Sequence, residues 1–417
     1  MDQTGPKRSA PVAEVRILRL AAGGDGIGRL PDGMAVFVPR TAPGDLVEID
    51  GLREHKRFAR GRVSRIVERS AHRVEPRCPH YTIDECGGCQ LQHLEYPVQL
   101  ESRAGFVGDA LRRLGHRESP DPAIVPSDKV YDYRTKITLH VSPDGHRIGL
   151  HRYERPDQVF ELVWCHITEP ELMALWQILR NLRQLFPPRL GQIVLRLDRH
   201  RSRHLVFRVG RGEAWSGAAR LFRELKRHEV EATIWWQPEG GAARAMAGAG
   251  QAYPATVFEQ VHPGMGDRVR EFALRELGQV AGRRVWDLYS GIGETTEQLV
   301  RQGARVESVE LDRRAVEEAE SRGLPARRHT GRVEDLLGEL KTPELVVANP
   351  PRAGMDRRVP AELERIRPRR VVYISCDPAT LARDLQRLPD FRIAAIRAFD
   401  LFPQTTHVET VAVLEPA

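Results

Sequence analysis

Five cysteines in 417 residues fall into two kinds of place, and each kind implies its own chemistry. Cys376 stands alone in Tyr373-Ile374-Ser375-Cys376-Asp377-Pro378, where an apolar run gives way to a helical one that Asp377 or Thr380 can cap. A thiol just before a helix N-terminus is biased towards thiolate, the nucleophilic form. Cys78, Cys86 and Cys89 crowd together, with Cys165 far downstream. Four thiolates suit tetrahedral zinc or an iron–sulfur cluster, and the bare amides of Gly87 and Gly88 can donate to cluster sulfurs. His80 and His93 are close enough in sequence for a mixed zinc site, so the residues alone leave the metal open. An odd total, split this way, argues against a disulfide framework.

A second group of residues reads as a cofactor cleft. Asp287-Leu288-Tyr289-Ser290-Gly291-Ile292-Gly293 closes a strand and opens a helix, and Gly291 and Gly293 let the backbone approach a ligand closely. Glu310 ends the next strand, 17 positions after Gly293, where a carboxylate can accept both ribose hydroxyls of a nucleoside. Thr296 fills the place of the third glycine of a dinucleotide site. That favours S-adenosylmethionine, which has no pyrophosphate, over a nicotinamide cofactor. Asn349-Pro350-Pro351-Arg352 makes a stiff turn after another strand. Enzymes that methylate planar nitrogens place an aromatic residue after such prolines; Arg352 there argues against amine chemistry.

A thiolate beside S-adenosylmethionine fits methylation of a pyrimidine at carbon 5. Addition of the thiolate to carbon 6 makes an enolate, carbon 5 takes the methyl group, and a base then removes the carbon 5 proton. The candidate base is Glu409, with His407 and Asp400 as neighbours. A dry carboxylate there needs a modest upward pKa shift. Strand alternation puts His407 and Glu409 on one face, so His407 stays open as the rival.

These residues need scaffolds to hold them. Short strands with Gly and Pro turns from Ala13 to about Ser70 read as a small β-barrel, with Arg53, Lys56, Arg57, Arg60, Arg62 and Arg65 charging its later strands. A mixed α+β region follows, with a hairpin at Pro143-Asp144-Gly145, a helix ending before Pro187, and Trp235 and Trp236 as core. The small-residue stretch around 240–250 reads as a loop. From about Thr256, alternating strands and helices predict a doubly wound, Rossmann-like α/β sheet. The expected domains are 8–70, 71–255 and 256–417. Lys and Arg total 64 against 57 Asp and Glu, a net charge of +7 that admits an anionic partner such as nucleic acid. No run approaches the roughly 18 apolar residues of a membrane span. The N-terminus has no signal-like core, so a cytoplasmic protein acting away from membranes is expected.

Taken together, these segments resemble the bacterial RNA (uracil-5-)-methyltransferase family, especially its 23S ribosomal RNA members, over nearly the whole chain. The resemblance implies an N-terminal TRAM domain that binds RNA. It implies a 4Fe–4S cluster on Cys78, Cys86, Cys89 and Cys165, with a first gap two residues longer than the common spacing. Val257-Phe258-Glu259-Gln260-Val261-His262-Pro263 is similar to the family's Phe-x-Gln-x-Asn segment, which implies that Gln260 contacts S-adenosylmethionine. The glycine loop implicates Tyr289, Gly291 and Gly293, joined by Glu310 and Asn349. Cys376 is implied as nucleophile and Glu409 as base. The expected activity is methylation of a uridine in structured RNA, 23S rRNA in preference to tRNA, by a monomer. The chain departs from the family at Ser290, His262, Asn349 and Arg332. A tRNA methyltransferase is the alternative substrate reading. An RNA-binding assembly factor that keeps the fold is the alternative those departures motivate.

Overall fold

The computed structural model describes residues 13–211, 215–249 and 256–417. The chain packs as two units: the first ends at Phe106 and also takes in Gln404–Thr406, and the second is the remainder.

In the first unit, β1 (Ala13–Arg16), β2 (Arg19–Leu20), β3 (Gly26–Arg29), β4 (Ala35–Val38), β5 (Leu46–Glu54) and β6 (Phe58–Glu68) form one sheet in the order β1-β5-β6-β4-β3-β2. Period-two alternation buries Val36, Val38, Val47 and Ile49 in its core. The basic load is less free than the sequence suggests. Arg60 reaches Asp25 at 2.7 Å and Arg65 reaches Glu48 at 2.5 Å, while Arg53, Lys56 and Arg57 lie exposed at the β5–β6 turn. The short α1 (Pro79–Thr82) and long α2 (Tyr96–Arg113) follow. From α2, Gln99 donates to the Gln404 side chain at 3.0 Å and the wholly buried Arg103 donates to the Thr405 carbonyl at 2.9 Å.

The second unit holds two sheets. After β7 (Ile124–Val125) come β8 (Lys136–Val141), β9 (Ile148–Arg152), β10 (Arg155–Glu161), α3 (Pro170–Arg180), β11 (Leu190–Leu197), β12 (Arg203–Val209), α4 (Ala218–Arg227), β13 (Thr233–Pro238) and β14 (Arg244–Ala247). Their middle sheet runs β10-β9-β8-β11-β12-β13-β14. Gly145, in the left-handed region, turns the β8–β9 hairpin as expected. Trp235 and Trp236 are core, also as expected. The small-residue stretch is not all loop: β14 forms within it and pairs antiparallel with β13. Ladder hydrogen bonds use backbone alone, so an Ala-rich edge strand carries no side-chain signature.

The last sheet is built from β15 (Arg284–Leu288), β16 (Arg305–Glu310), β17 (Arg327–Thr330), β18 (Leu345–Ala348), β19 (Arg370–Ser375), β20 (Phe391–Phe399) and β21 (Glu409–Pro416). The order is β17-β16-β15-β18-β19-β21-β20-β7, the first five parallel and β21 antiparallel to both neighbours. Helices α5 (Pro263–Leu277), α6 (Glu294–Arg301), α7 (Arg313–Glu320), α8 (Val333–Leu336), α9 (Arg358–Ile366) and α10 (Pro378–Gln386) accompany it, with two apolar cores that share its strands. This is the expected doubly wound α/β sheet. Asp312 caps α7 and Asp377 caps α10 through the Thr380 amide at 2.8 Å, with Pro378 pre-shaping the first turn. Among the described residues, no helix is long and apolar enough to cross a membrane.

Candidate active site

Chain reversal between β15 and β18 opens a crevice at the carboxyl edge of the last sheet, the place where such folds bind ligands. The loops leaving β15, β18 and β19 carry the Gly291–Gly293 turn, Asn349–Arg352 and Cys376. β21 runs antiparallel to β19 with Thr410 opposite Ser375. Its first residue, Glu409, therefore lies at the same edge as Cys376.

Arg352 ties this corner together. Its guanidinium hydrogen-bonds Cys376 and meets His407 Nε2 at 3.2 Å, while its carbonyl accepts from the Thr380 hydroxyl at 3.0 Å. Burial pushes the Cys376 thiol up and the nearby Glu409 carboxylate pushes it further; Arg352 acts the other way. The helix-terminus bias towards thiolate is thus outweighed here by desolvation. Glu409 is 2% exposed, and burial pushes its carboxyl up to about 8, partly offset by Arg352. That rise is larger than the modest one expected, and it makes Glu409 mostly protonated at neutral pH without a ligand. His407 is a different kind of group. Guanidinium only donates, so His407 Nε2 accepts and the ring is neutral. Burial, then Arg352 and Arg134, lower it to about 4. His407 also precedes β21, so the alternation that paired it with Glu409 does not apply. Asp400 is buried just beyond β20.

A lock holds the Asn349–Arg352 loop in place. Pro351 and Gly354 close a turn at 2.7 Å, and the wholly buried Asp384 of α10 accepts from the Met355 amide and the Tyr373 hydroxyl, each at 2.8 Å. Gly354 has φ +78°, and a Cβ there would lie 2.3 Å from the Thr380 methyl. Only glycine lets this loop lie against the helix that follows Cys376.

The cofactor candidates surround the β15 turn. Gly291 and Gly293 adopt φ +55° and +79°, and a Cβ on Gly293 would press on Ala319 at 3.0 Å. The Glu310 carboxylate accepts from the amides of Gly291 and Asp312, each at 2.8 Å, so it pins the glycine loop with lone pairs left over. Thr296 is fully buried because its hydroxyl bonds Asp287 at 2.5 Å; burial pushes Asp287 up to about 7. Tyr289 also has positive φ, at 62°, and its buried hydroxyl has no partner among the described residues. An orphaned donor beside a glycine turn is what a bound polar ligand would satisfy. Gln260 packs on Gly266 of α5, whose Cβ would meet the Gln260 Cβ at 3.1 Å. The Asn349 amide N–H bonds the Leu288 carbonyl at 3.1 Å.

His262 and Arg332 show where two departures go. His262 stacks on Tyr133 at 4.9 Å and meets the Ser127 hydroxyl at 2.8 Å, and burial lowers it to about 4, so it is a neutral packing residue. Arg332 precedes α8 with Glu334 at 3.6 Å. Sequence reasoning missed the hydrogen bond from Arg352 to Cys376, whose only signal was an Arg after Pro-Pro. It also passed over the exposed Phe258 and Leu311, large apolar side chains next in sequence to the Glu259-Gln260 and Glu310 positions.

Cys78, Cys86 and Cys89 are buried in the first unit, where the Gly88 amide donates to the Cys86 sulfur at 3.4 Å. Cys165 belongs to the second unit, its amide on the Met173 sulfur at 3.1 Å. His93 is no zinc donor: its Nδ1 bonds the Tyr81 hydroxyl at 2.6 Å and its Nε2 the Thr41 carbonyl at 3.1 Å. Among the described residues, no group of three or more His, Cys, Asp or Glu is disposed to hold a metal ion.

Comparison with known proteins gives matches at both ends of the chain. The profile of the family described as tRNA (uracil-5-)-methyltransferase matches residues 302–416, and that of the TRAM domain matches residues 11–64. An uncharacterised RNA methyltransferase of Gloeobacter violaceus is 32% identical, covering 96% of this chain and 96% of its own. The 23S rRNA (uracil(1939)-C(5))-methyltransferase RlmD of Azoarcus sp. strain BH72 is 33% identical, covering 94% and 97%. Among solved structures, the Pyrococcus abyssi tRNA (uracil-54, C5)-methyltransferase in complex with S-adenosyl-L-homocysteine is similar with a TM-score of 0.73 at 24% identity, covering 96% and 100%, a likeness of fold.

Proposed function

The chain belongs to the tRNA (uracil-5-)-methyltransferase family, and from that premise we propose that it methylates carbon 5 of a uridine in 23S rRNA through a covalent adduct on Cys376. RNA uracil methylation with S-adenosylmethionine is the activity of the family; the RNA species and the residue roles are our reading. The observation that carries it is the corner where Arg352 hydrogen-bonds Cys376 with Glu409 alongside.

When bound, S-adenosylmethionine supplies an electrophilic methyl group. Gln260, Tyr289, Gly291, Gly293, Glu310 and Asn349 hold it, a role that suits the unpartnered Tyr289 hydroxyl and the spare lone pairs of Glu310. Arg352 stabilises the thiolate of Cys376, which adds to carbon 6 of uracil. The electron pair of the 5,6 double bond moves onto carbon 5 and the carbonyl, and carbon 5 bonds the methyl carbon as its bond to sulfur breaks. Glu409, deprotonated, then takes the carbon 5 proton; the C–H pair remakes the double bond and expels Cys376 as thiolate. His407, neutral and already accepting from Arg352, orients the guanidinium rather than acting as base. The target base leaves its stack, because carbon 6 in a helix is shielded from a protein thiolate.

The family resemblance assigns a structural 4Fe–4S cluster to Cys78, Cys86, Cys89 and Cys165, and we keep it as part of this reading, although the described residues form no group of three or more metal donors. The engaged His93 ring removes one of the two histidines from the donor set, and the Gly88 amide on the Cys86 sulfur is the hydrogen bond a cluster thiolate takes. The TRAM domain contributes RNA affinity, and the protein works in the cytoplasm.

The test is transfer of labelled methyl groups to RNA, with mass spectrometry locating the product. 5-Methyluridine in rRNA, lost from one site in a deletion strain, is expected. Loss from tRNA instead redirects the substrate, and a methyl group on an exocyclic nitrogen overturns the reading.

A further inference from the structure

On β8, β11, β12 and β13, alternation places Lys136, His140, Gln192, Arg208 and Gln237 on the face opposite Ile193, Leu195 and Phe207. Arg208 is held there by two neutral amides: Nε donates to Gln237 Oε1 at 3.0 Å and Nη1 to Gln192 Oε1 at 3.1 Å. No carboxylate balances it, and Nη2 has no partner among the described residues. The fork is preorganised with one edge unused. Lys136 lies half-buried on the same face with no bond to its ammonium among the described residues, and the charged groups acting on it are Arg196, Arg208 and Arg134. Burial and those arginines lower it to about 8, the mark of a lysine without its counter-anion. Arg196, opposite Lys136, is paired with Glu259, so that carboxylate is already engaged; the remaining neighbours are neutral, Gln192 Nε2 meeting His140 Nδ1 at 3.4 Å and the His151 ring lying 4.2 Å from His140.

The positive ground continues towards Cys376. Arg134 donates to the Lys136 carbonyl at 3.0 Å, and its charge reaches His407, which Arg352 also touches. Cations therefore run from the nucleophile corner through Arg134 and Lys136 to Arg208. A single small anion occupies one end of such a run; a polyanion occupies all of it.

We propose that Lys136 and Arg208 form a phosphate site on the middle sheet that binds the sugar–phosphate backbone of the RNA strand flanking the target uridine. The proposal rests on the RNA reading above. Phosphate interactions of this type fix the register of a strand and carry no base specificity.

The experiment measures binding of a uridine-containing single-stranded RNA to the full chain across a KCl titration, for the wild type, Lys136→Met, Arg208→Met and the double variant. Removing one phosphate-binding cation should lower the slope of log affinity against log salt by about 0.7, with KM for RNA raised and kcat and S-adenosylmethionine affinity kept. Arg208→Lys, which retains the charge, should restore most of the slope. An unchanged slope in the double variant, with wild-type binding intact, overturns the site. So does inorganic phosphate that binds the wild type and not the variants while RNA affinity stays equal, because the site then serves a free anion. A wild type that binds RNA yet methylates no uracil counts against the proposed function and leaves this site standing.

Discussion

Replacing Glu409 by Gln should abolish turnover and stabilise the fold, by an amount that grows with pH. The side chain is 2% exposed, and burial pushes its carboxyl from the ordinary 4.5 up to about 8. A raised folded-state pKa favours the protonated fold. Its stabilising effect is complete below pH 4.5 and is lost as pH rises through about 8. At about 1.4 kcal/mol per pH unit, the gap from 4.5 to about 8 withholds up to about 5 kcal/mol from the ionised enzyme. Glutamine has the same shape and never ionises. Thermal unfolding at pH 5, 7 and 9 is the assay, at about 2–4 °C per kcal/mol for a large domain. Variant and wild type should melt within about 3 °C of each other at pH 5 and separate by about 10–20 °C at pH 9, the variant higher. A separation that is constant, or that shrinks with rising pH, rules out a buried, upshifted Glu409. The same variant should accumulate the RNA adduct, since addition to carbon 6 does not need the base.

Methyl transfer itself should rise with pH: Glu409 is about one-tenth ionised at pH 7 with its carboxyl at about 8, so the rate gains about tenfold by pH 9 and more steeply if the raised Cys376 thiol also limits, whereas a flat or falling profile contradicts the assignment. Gly354→Ala places a methyl group 2.3 Å from the Thr380 methyl at φ +78° and should destabilise by about 1–3 kcal/mol in chemical denaturation, with kcat falling as the Arg352 loop shifts. Anaerobic purification should give a brown protein absorbing near about 400 nm, and Cys86→Ser should bleach it; a colourless wild type with stoichiometric zinc contradicts the cluster.

What could be read from residues alone follows from how local each cause is. The glycine turn, the Asn349–Arg352 turn and Cys376 were legible because each ends an apolar run and precedes a helix, and parallel α/β sheets put such ends on one edge. β17 is Arg327-Arg328-His329-Thr330 and β14 is Arg244-Ala245-Met246-Ala247, edge strands with no apolar alternation, so neither announced itself. The Cys376 pKa was misjudged for a related reason. Its helix terminus is local, whereas the burial and the Glu409 charge that outweigh it come from 33 residues away in β21. His407 and Glu409 could not be separated without knowing that β21 begins at Glu409 and that Arg352 occupies His407 Nε2. Glu310 was expected to hold a ribose. The structure shows its carboxylate pinning the glycine loop through the Gly291 amide, which depends on two loops meeting and which no spacing reveals.

Addition of Cys376 to carbon 6 of uracil is the step on which the proposed reaction depends. The direct measurement is a denaturing gel and mass spectrum of the enzyme incubated with S-adenosylmethionine and RNA carrying 5-fluorouridine, whose fluorine cannot leave as a proton. The expected product is a stable protein–RNA adduct with the mass of one transferred methyl group, mapped to Cys376 and absent from Cys376→Ala. An adduct that persists in Cys376→Ala, or robust methylation of uracil by that variant, contradicts it.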